Sequence, residues 1–229
     1  MVERESEPPA PPPRDYLAEY HAQKHSKANI LGADECGYGS WAGPLVVCAA
    51  AIRHNWTPPK GLNDSKKFSR RDKREEMFEY LKTRVPYAVS MAHSDEVDRQ
   101  GVVLTLRRCY REAINSVRAQ YPDSLIVIDG LVRIPGLDHL FFPKADGIVP
   151  AVMAASIIGK VLHDQYMWRM AEKYPGYGFH EHQGYGTKKH REAIERLGLC
   201  PIHRVTYIKE KTRTVEEMRA IDEVGISVD

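Results

Sequence analysis

Four carboxylates stand out because each closes or follows a short apolar run. Asp34 and Glu35 come directly after Ile30-Leu31-Gly32-Ala33, Asp129 closes Leu125-Ile126-Val127-Ile128, and Asp146 follows Leu140-Phe141-Phe142. Apolar runs of this length read as buried strands, so the acids fall at strand ends, where neighbouring strands can bring them to one spot. Carboxylates gathered in this way repel one another and suit hard divalent cations with oxygen ligands. Adjacent acids in a strand face opposite sides. Asp34 and Glu35 therefore converge only if the strand ends or bulges there, which Gly37 and Gly39 would allow. Each acid alone also reads as a turn former or a cap, as in Asp129-Gly130 and Asp146-Gly147. All four together, in this order, favour a metal centre.

The surrounding charge is uneven. Residues 60–74 hold seven basic side chains against two acidic ones, and residues 160–213 hold eleven against six. Tyr166, Trp168, Tyr174, Tyr177, Phe179 and Tyr185 are interleaved with the second stretch, a mixture that suits phosphates, sugars and base faces, although a solvated helix face reads similarly. Gly37 and Gly39 lack the following G-K-[ST] of a nucleoside-triphosphate loop. What they offer is close approach of main chain to a ligand, such as a sugar hydroxyl beside the acids. His180, His182, His190 and His203 fit no zinc spacing and read as phosphate contacts or surface positions. The cysteines Cys36, Cys48, Cys109 and Cys200 form no C-x-x-C pair and read as reduced thiols of a cytoplasmic protein.

The elements that must position these groups follow from periodicity. Residues 1–28 form a proline-rich tail with room for one short helix in 14–28, and 29–213 form the main domain. Residues 214–229 form an acidic tail of helical character. Strands are expected at 30–33, 44–52, 87–92, 124–129 and 140–142. Helices are expected at 70–84, at 95–120 with Val103, Leu106, Tyr110, Ile114 and Val117 on one face, at 150–173 and at 188–197. Pro150 suits the first turn of its helix. This order predicts an α/β domain with a mixed five-stranded sheet. No apolar run approaches the roughly 18 residues of a membrane span, and the net charge of +2 by itself gives no hint of a nucleic-acid partner.

With these residues in view, the chain resembles ribonuclease HII, the type 2 RNase H family. The resemblance covers residues 30–207: Gly32-Ala33-Asp34-Glu35-Cys36-Gly37-Tyr38-Gly39, Asp64-Ser65-Lys66-Lys67-Phe68, Ile128-Asp129-Gly130 and Lys144-Ala145-Asp146. It continues through Ala154-Ala155-Ser156-Ile157-Ile158-Gly159-Lys160, then His182-Gln183-Gly184-Tyr185-Gly186-Thr187, and closes with His203-Arg204. It implies an RNase H-like fold with a helical C-terminal part. The implied activity is endonucleolytic cleavage of RNA in RNA–DNA hybrids and at ribonucleotides embedded in duplex DNA. Asp34, Glu35, Asp129 and Asp146 would hold two Mg²⁺ or Mn²⁺ ions, and products would carry 3′-hydroxyl and 5′-phosphate ends. The Gly37, Tyr38 and Gly39 backbone would meet the ribose 2′-OH, Lys66 and Lys67 a phosphate, and Tyr185 the sugar at the RNA–DNA junction.

Departures matter too. The family usually has Gly-Arg-Gly where this chain has Gly37-Tyr38-Gly39, and Gly159 and His163 replace its usual Ala and Arg. Loss of an Arg from the glycine pair puts junction preference in question and leaves a ribonuclease HIII-like preference as the alternative. Other readings are a protein that binds hybrids without cutting them, and an unrelated metal-dependent phosphatase. Asp164 reads as a structural acid. The residues around Ile226 show no sliding-clamp motif, and a monomer is expected.

Overall fold

The computed structural model describes residues 15–23, 29–62 and 71–211. Lys66, Lys67 and the 214–229 tail lie outside these residues. Five strands form one sheet: β1 (Ile30–Cys36), β2 (Leu45–Ile52), β3 (Tyr87–Ala92), β4 (Leu125–Asp129) and β5 (Leu140–Phe142), in the order β3-β2-β1-β4-β5. The first three are antiparallel neighbours, while β4 lies parallel to β1 and β5 parallel to β4. The mixed five-stranded sheet expected from the pattern is the one observed.

Strand alternation sends two sets of side chains into two cores. On one face Leu31, Ala33, Val47 and Ala49 pack with Leu106, Tyr110, Ile114 and Val117 of α4 (Val102–Arg118). On the other face Cys48, Ala50 and Val127 meet Ala151, Ala155 and Ile158 of α5 (Pro150–Lys173), with Phe78 and Leu81 of α2 (Arg71–Lys82) beside them. Each fully buried Leu or Ile contributes about 1.5–3 kcal/mol through area removed from water. The small residues of α5 allow a very close approach. A Cβ on Gly32 would stand 2.2 Å from the Val152 nitrogen. The N-terminal helix α1 (Tyr16–Gln23) seats Tyr20 against Phe142, and Tyr16 against Phe141.

Two expectations need correction. The single helix at 95–120 is two helices, α3 (Ser94–Gln100) and α4, because Gly101 adopts φ 80°, ψ 146° between them. Val103, expected on the inner face, is consequently 48% exposed. The first strand also does not end at its acids. Pairing with β2 continues through Asp34–Cys48 and Glu35–Val47 to Cys36–Val46, and the turn begins only at Gly37, at φ +80°. The uninterrupted apolar run of β2 supplies partners that far. Past the motif of α5, the chain forms the short helices α6 (Phe179–His182), α7 (Lys188–Leu197) and α8 (Val205–Lys211), of which α6 and α8 had no periodic signal. Among the described residues no helix is long and apolar enough to cross a membrane.

The Gly32 contact yields a prediction. Gly32→Ala should destabilise the fold by at least about 2 kcal/mol through overpacking against backbone. Gly39→Ala, with open space around its Cβ, should leave stability nearly unchanged. Urea unfolding midpoints of the two variants compare the effects, and equal midpoints would show that α5 does not lie this close to β1.

Candidate active site

The acids gather at one end of the sheet. Because β1 stays regular, Asp34 shares the α5 face with Gly32, whereas Glu35 shares the α4 face with Leu31 and Ala33. The parallel register pairs Ala33 with Ile128, so its next step sets Asp34 beside Asp129. Asp129 in turn accepts a hydrogen bond from the Asp146 backbone N–H at 3.3 Å. Asp146 itself lies buried in the 3-10 turn Ala145–Gly147 after β5. Burial first, then the charges of Glu35, Asp129 and Asp146, push the Asp34 carboxyl well above the ordinary carboxylate range, against a lowering by a Ser156 hydrogen bond. Glu35 reaches the same end from the other face, where it accepts a hydrogen bond from the buried Tyr110 hydroxyl. The structure therefore draws all four acids into one field without the bulge that spacing suggested.

This donor set fits hard divalent cations: it is all oxygen, partly buried and self-repelling. Among the described residues, though, no three acid, histidine or cysteine side chains close into one compact ligating group. Asp34 is held by the Glu35 backbone N–H at 2.8 Å, Asp129 by the Asp146 N–H, and Glu35 by Tyr110. Ser156 and Tyr110 contact the acids, and sequence reasoning gave neither a role at the site. Ser156 sat within a quoted motif without a role, and Tyr110 was read only as part of an apolar helix face.

Beside Asp34 and Glu35 opens a cavity of about 360 Å³, shared with Gly37, Tyr38, Gly39, Ser156, Lys160 and Tyr185. Of the residues expected to meet substrate, Gly37, Tyr38, Gly39 and Tyr185 thus line the same cavity as Asp34 and Glu35, while Lys66 and Lys67 lie outside the described residues. Tyr38 and Tyr185 are 41% and 40% exposed, which leaves both rings available to a ligand. The loop is held from behind. Arg204, fully buried, donates to the Tyr38 carbonyl at 2.9 Å and twice to that of Gly43, at 3.1 and 3.2 Å. The Tyr207 hydroxyl also donates to the Tyr38 carbonyl, at 3.1 Å. The Gly184 carbonyl accepts from Trp41 and Ala42, and isolated bridges join Ser40 to Tyr185 and Ala42 to His203. A side chain at Gly37 would strike the Pro44 carbonyl at 2.5 Å and His163 at 2.8 Å, so glycine is required there.

Further out, Asp164 links Lys160 (2.7 Å) to Arg74 (3.1 Å), the structural role expected of it. The histidines differ from expectation. His180 is exposed, but His182, His190 and His203 are buried around Phe179 and do not line the cavity. Polar residues at wide spacing conceal such an interior cluster because loops, not periodic elements, bring them together.

A sheet of this order, with acids at the ends of β1 and β4 and another after β5, defines a nuclease of the RNase H-like class. The ribonuclease HII family model matches residues 31–210. The ribonuclease HII of Clostridioides difficile (strain 630) is 39% identical over 183 residues, 79% of this chain and 70% of the relative. That of Rhizobium leguminosarum bv. trifolii (strain WSM2304) is 37% identical over 212 residues, 92% and 90% of the two chains. The chain belongs to the ribonuclease HII family, whose activity is cleavage of RNA in RNA–DNA hybrids and at embedded ribonucleotides. Among solved structures, the ribonuclease HII of Archaeoglobus fulgidus, in complex with PCNA, aligns with TM-score 0.64 and 26% identity over 82% of this chain and 98% of its own. The ribonuclease HIII called Bst-RNase HIII, solved with Mn²⁺, shares the fold at TM-score 0.56 and 18% identity, over 89% and 72% of the chains. RNase H family enzymes use divalent metals.

The repulsion around Asp34 gives a stability test. In chelator, Asp34→Asn should stabilise the protein by about 0.5–2 kcal/mol while abolishing cleavage, as when strain kept for function is released. The direction follows from linkage: a carboxyl raised on folding costs stability as pH climbs through its folded pKa, and the amide has no such cost. Added Mn²⁺ should raise the wild-type melting temperature more than that of the variant. A melting temperature lowered by the substitution in chelator would contradict the repulsion.

Proposed function

We propose that Asp34, Glu35, Asp129 and Asp146 hold two divalent cations, Mg²⁺ or Mn²⁺. The proposed reaction hydrolyses the phosphodiester 5′ to a ribonucleotide and leaves 3′-hydroxyl and 5′-phosphate ends. The observation that carries this reading is the single cavity that brings Asp34 and Glu35 together with the Gly37–Gly39 backbone and Tyr185. When bound, such ions supply an activated water and offset charge on the departing oxygen. The chain's own groups do the positioning. Ser156 and the Glu35 N–H orient Asp34, Tyr110 orients Glu35, and the Asp146 N–H orients Asp129.

Substrate reading rests on main chain and rings. Backbone groups of Gly37 and Gly39 lie open to the cavity, where a ribose 2′-OH can both donate and accept. Tyr185 offers its face to the sugar at the junction, and Lys160 adds a positive charge to the same wall. Lys66 and Lys67 are assigned to a backbone phosphate from the motif alone. Tyr38 keeps its carbonyl pinned by Arg204 and Tyr207, so backbone recognition survives the loss of the usual Arg, while that side chain's charge on a phosphate does not.

Three expectations follow. Asp129→Asn should lower cleavage of a ribonucleotide-containing duplex by at least about a thousandfold, as for groups that act as a unit. Tyr185→Ala should impair junction cleavage while Mn²⁺ affinity, read by titration calorimetry, stays within about twofold. Equal losses in the two readouts would end that division of labour. Tyr38→Arg should improve cleavage at a single ribonucleotide relative to a long hybrid, by about tenfold for a regained charge-assisted contact. A duplex series with mapped cut positions measures the ratio, and an unchanged ratio would show that position 38 does not set preference.

A further inference from the structure

The three buried histidines pack around Phe179, directly behind Tyr185. His182 and His190 stack with centroids 4.3 Å apart, and His190 and His203 lie 5.2 Å apart. Their hydrogen-bond partners determine where each proton sits. The His190 Nδ1 lies 3.0 Å from the Tyr185 carbonyl, which can only accept, so Nδ1 carries the proton. Its Nε2 is then a bare lone pair, and His203 Nε2, 3.1 Å away, must donate to it. That leaves His203 Nδ1 bare to accept the Cys200 N–H at 2.8 Å. Likewise His182 Nε2 donates to the Tyr177 carbonyl at 2.8 Å, and its Nδ1 accepts the Gly184 N–H at 3.3 Å. One arrangement of three neutral rings satisfies every one of these contacts and leaves unused the approach of His203 Nδ1 to the Cys200 carbonyl.

A second proton would act differently on each ring. On His203 it could turn to the Cys200 carbonyl, 3.1 Å away, and spare the Tyr185 segment. On His190 it would set an N–H against the His203 N–H, and on His182 an N–H against that of Gly184. Those two rings hold the two backbone groups flanking the Gly184–Tyr185 peptide, whose own Gly184 carbonyl anchors Trp41 and Ala42. We propose that His182 and His190 are positioning residues for Tyr185, and that their neutral, single-tautomer state fixes the segment that carries its ring. This rests on Tyr185 as the residue that stacks on substrate.

Burial, as the largest cause, lowers His190 to about 4 and also lowers His182 and His203. Facing His182 are Glu181, which favours its charged form, and His180 and Lys189, which oppose it. Among the described residues, the charged groups acting on His190 are its neighbours His182 and His203, while Tyr177 and Cys200 have hydroxyl and thiol groups raised by burial and stay neutral. A histidine whose pKa falls on folding stabilises fully above its unfolded value of about 6.5. That stability is lost as pH drops from there toward the folded value.

Steady-state kinetics on a single-ribonucleotide duplex test the proposal. His190→Ala should raise KM by about tenfold with kcat within about twofold, and His190→Asn, which keeps a donor near the Nδ1 position, should recover most of the loss. In a Tyr185→Ala background, His190→Ala should add nothing, because coupled residues do not add. A full further KM increase there, or a loss confined to kcat, would overturn the proposal. Wild-type KM in Tyr185→Ala would remove the stacking reading and the proposal with it, whereas a loss in Tyr185→Ala with none in His190→Ala would remove the proposal alone. Imidazole ¹⁵N spectra of the wild-type protein need no variant to fold. They should show His190 protonated at Nδ1, and His182 and His203 at Nε2, all neutral at pH 7; a charged ring or the opposite tautomer at His182 or His190 would overturn it.

Discussion

The repulsion among four carboxylates at one end of the sheet is the constraint to which the rest of the molecule answers. Asp34 is buried among like charges, and within its own strand only the Glu35 backbone N–H is shown bonding to it. Hydrogen bonds from Ser156, Tyr110 and two backbone N–H groups hold the acids in place, each from a different element. The two packed faces of the sheet supply the stability against which this local cost is set. Such a field is all oxygen and self-repelling, a donor set whose chemistry suits a hard cation.

The second dependence runs between the sheet and the helical C-terminal part. The loop from Gly37 to Gly43 has few side chains with which to hold itself, since its task is to expose backbone. Its carbonyls are gripped by Arg204 and Tyr207, and its N–H groups by the carbonyls of Gly184 and Ile202. A fully buried guanidinium satisfied by carbonyls is costly to desolvate, and its planar fork suits two acceptors at once. Behind Tyr185 the histidines extend the same support, with one proton arrangement available to them. The C-terminal part is therefore structurally coupled to this loop, since residues from it hold the loop's main chain.

Charge distribution connects the two. A net charge of +2 averages the acid cluster with basic stretches at 60–74, between Glu35 and Asp129, and at 160–213, after Asp146. Lys160 shows the pattern at one residue: it lines the cavity beside the acids while bridging to Asp164, which also holds Arg74. Lys160 and the acids can line one cavity because each is paired or hydrogen-bonded locally.

Much of this was legible in the sequence. Apolar runs marked the five strands, and acids at their ends marked the site, because burial and strand termini leave strong one-dimensional signals. Residue types alone suggested only close main-chain approach at the glycine pair, and the role expected of Tyr185 came from the family resemblance. The break at Gly101 was not legible, since the helical pattern continues across it and one positive φ redirects the chain. Nor was the course of β1, whose pairing past Asp34 depends on what β2 offers opposite. Tertiary structure alone decided that Glu35 approaches from the α4 face, that Tyr110 and Ser156 hold the acids, and that Arg204 and three histidines lie behind the recognition loop. Those contacts join residues far apart in the chain through single hydrogen bonds, and no periodicity records a partner that only folding brings near.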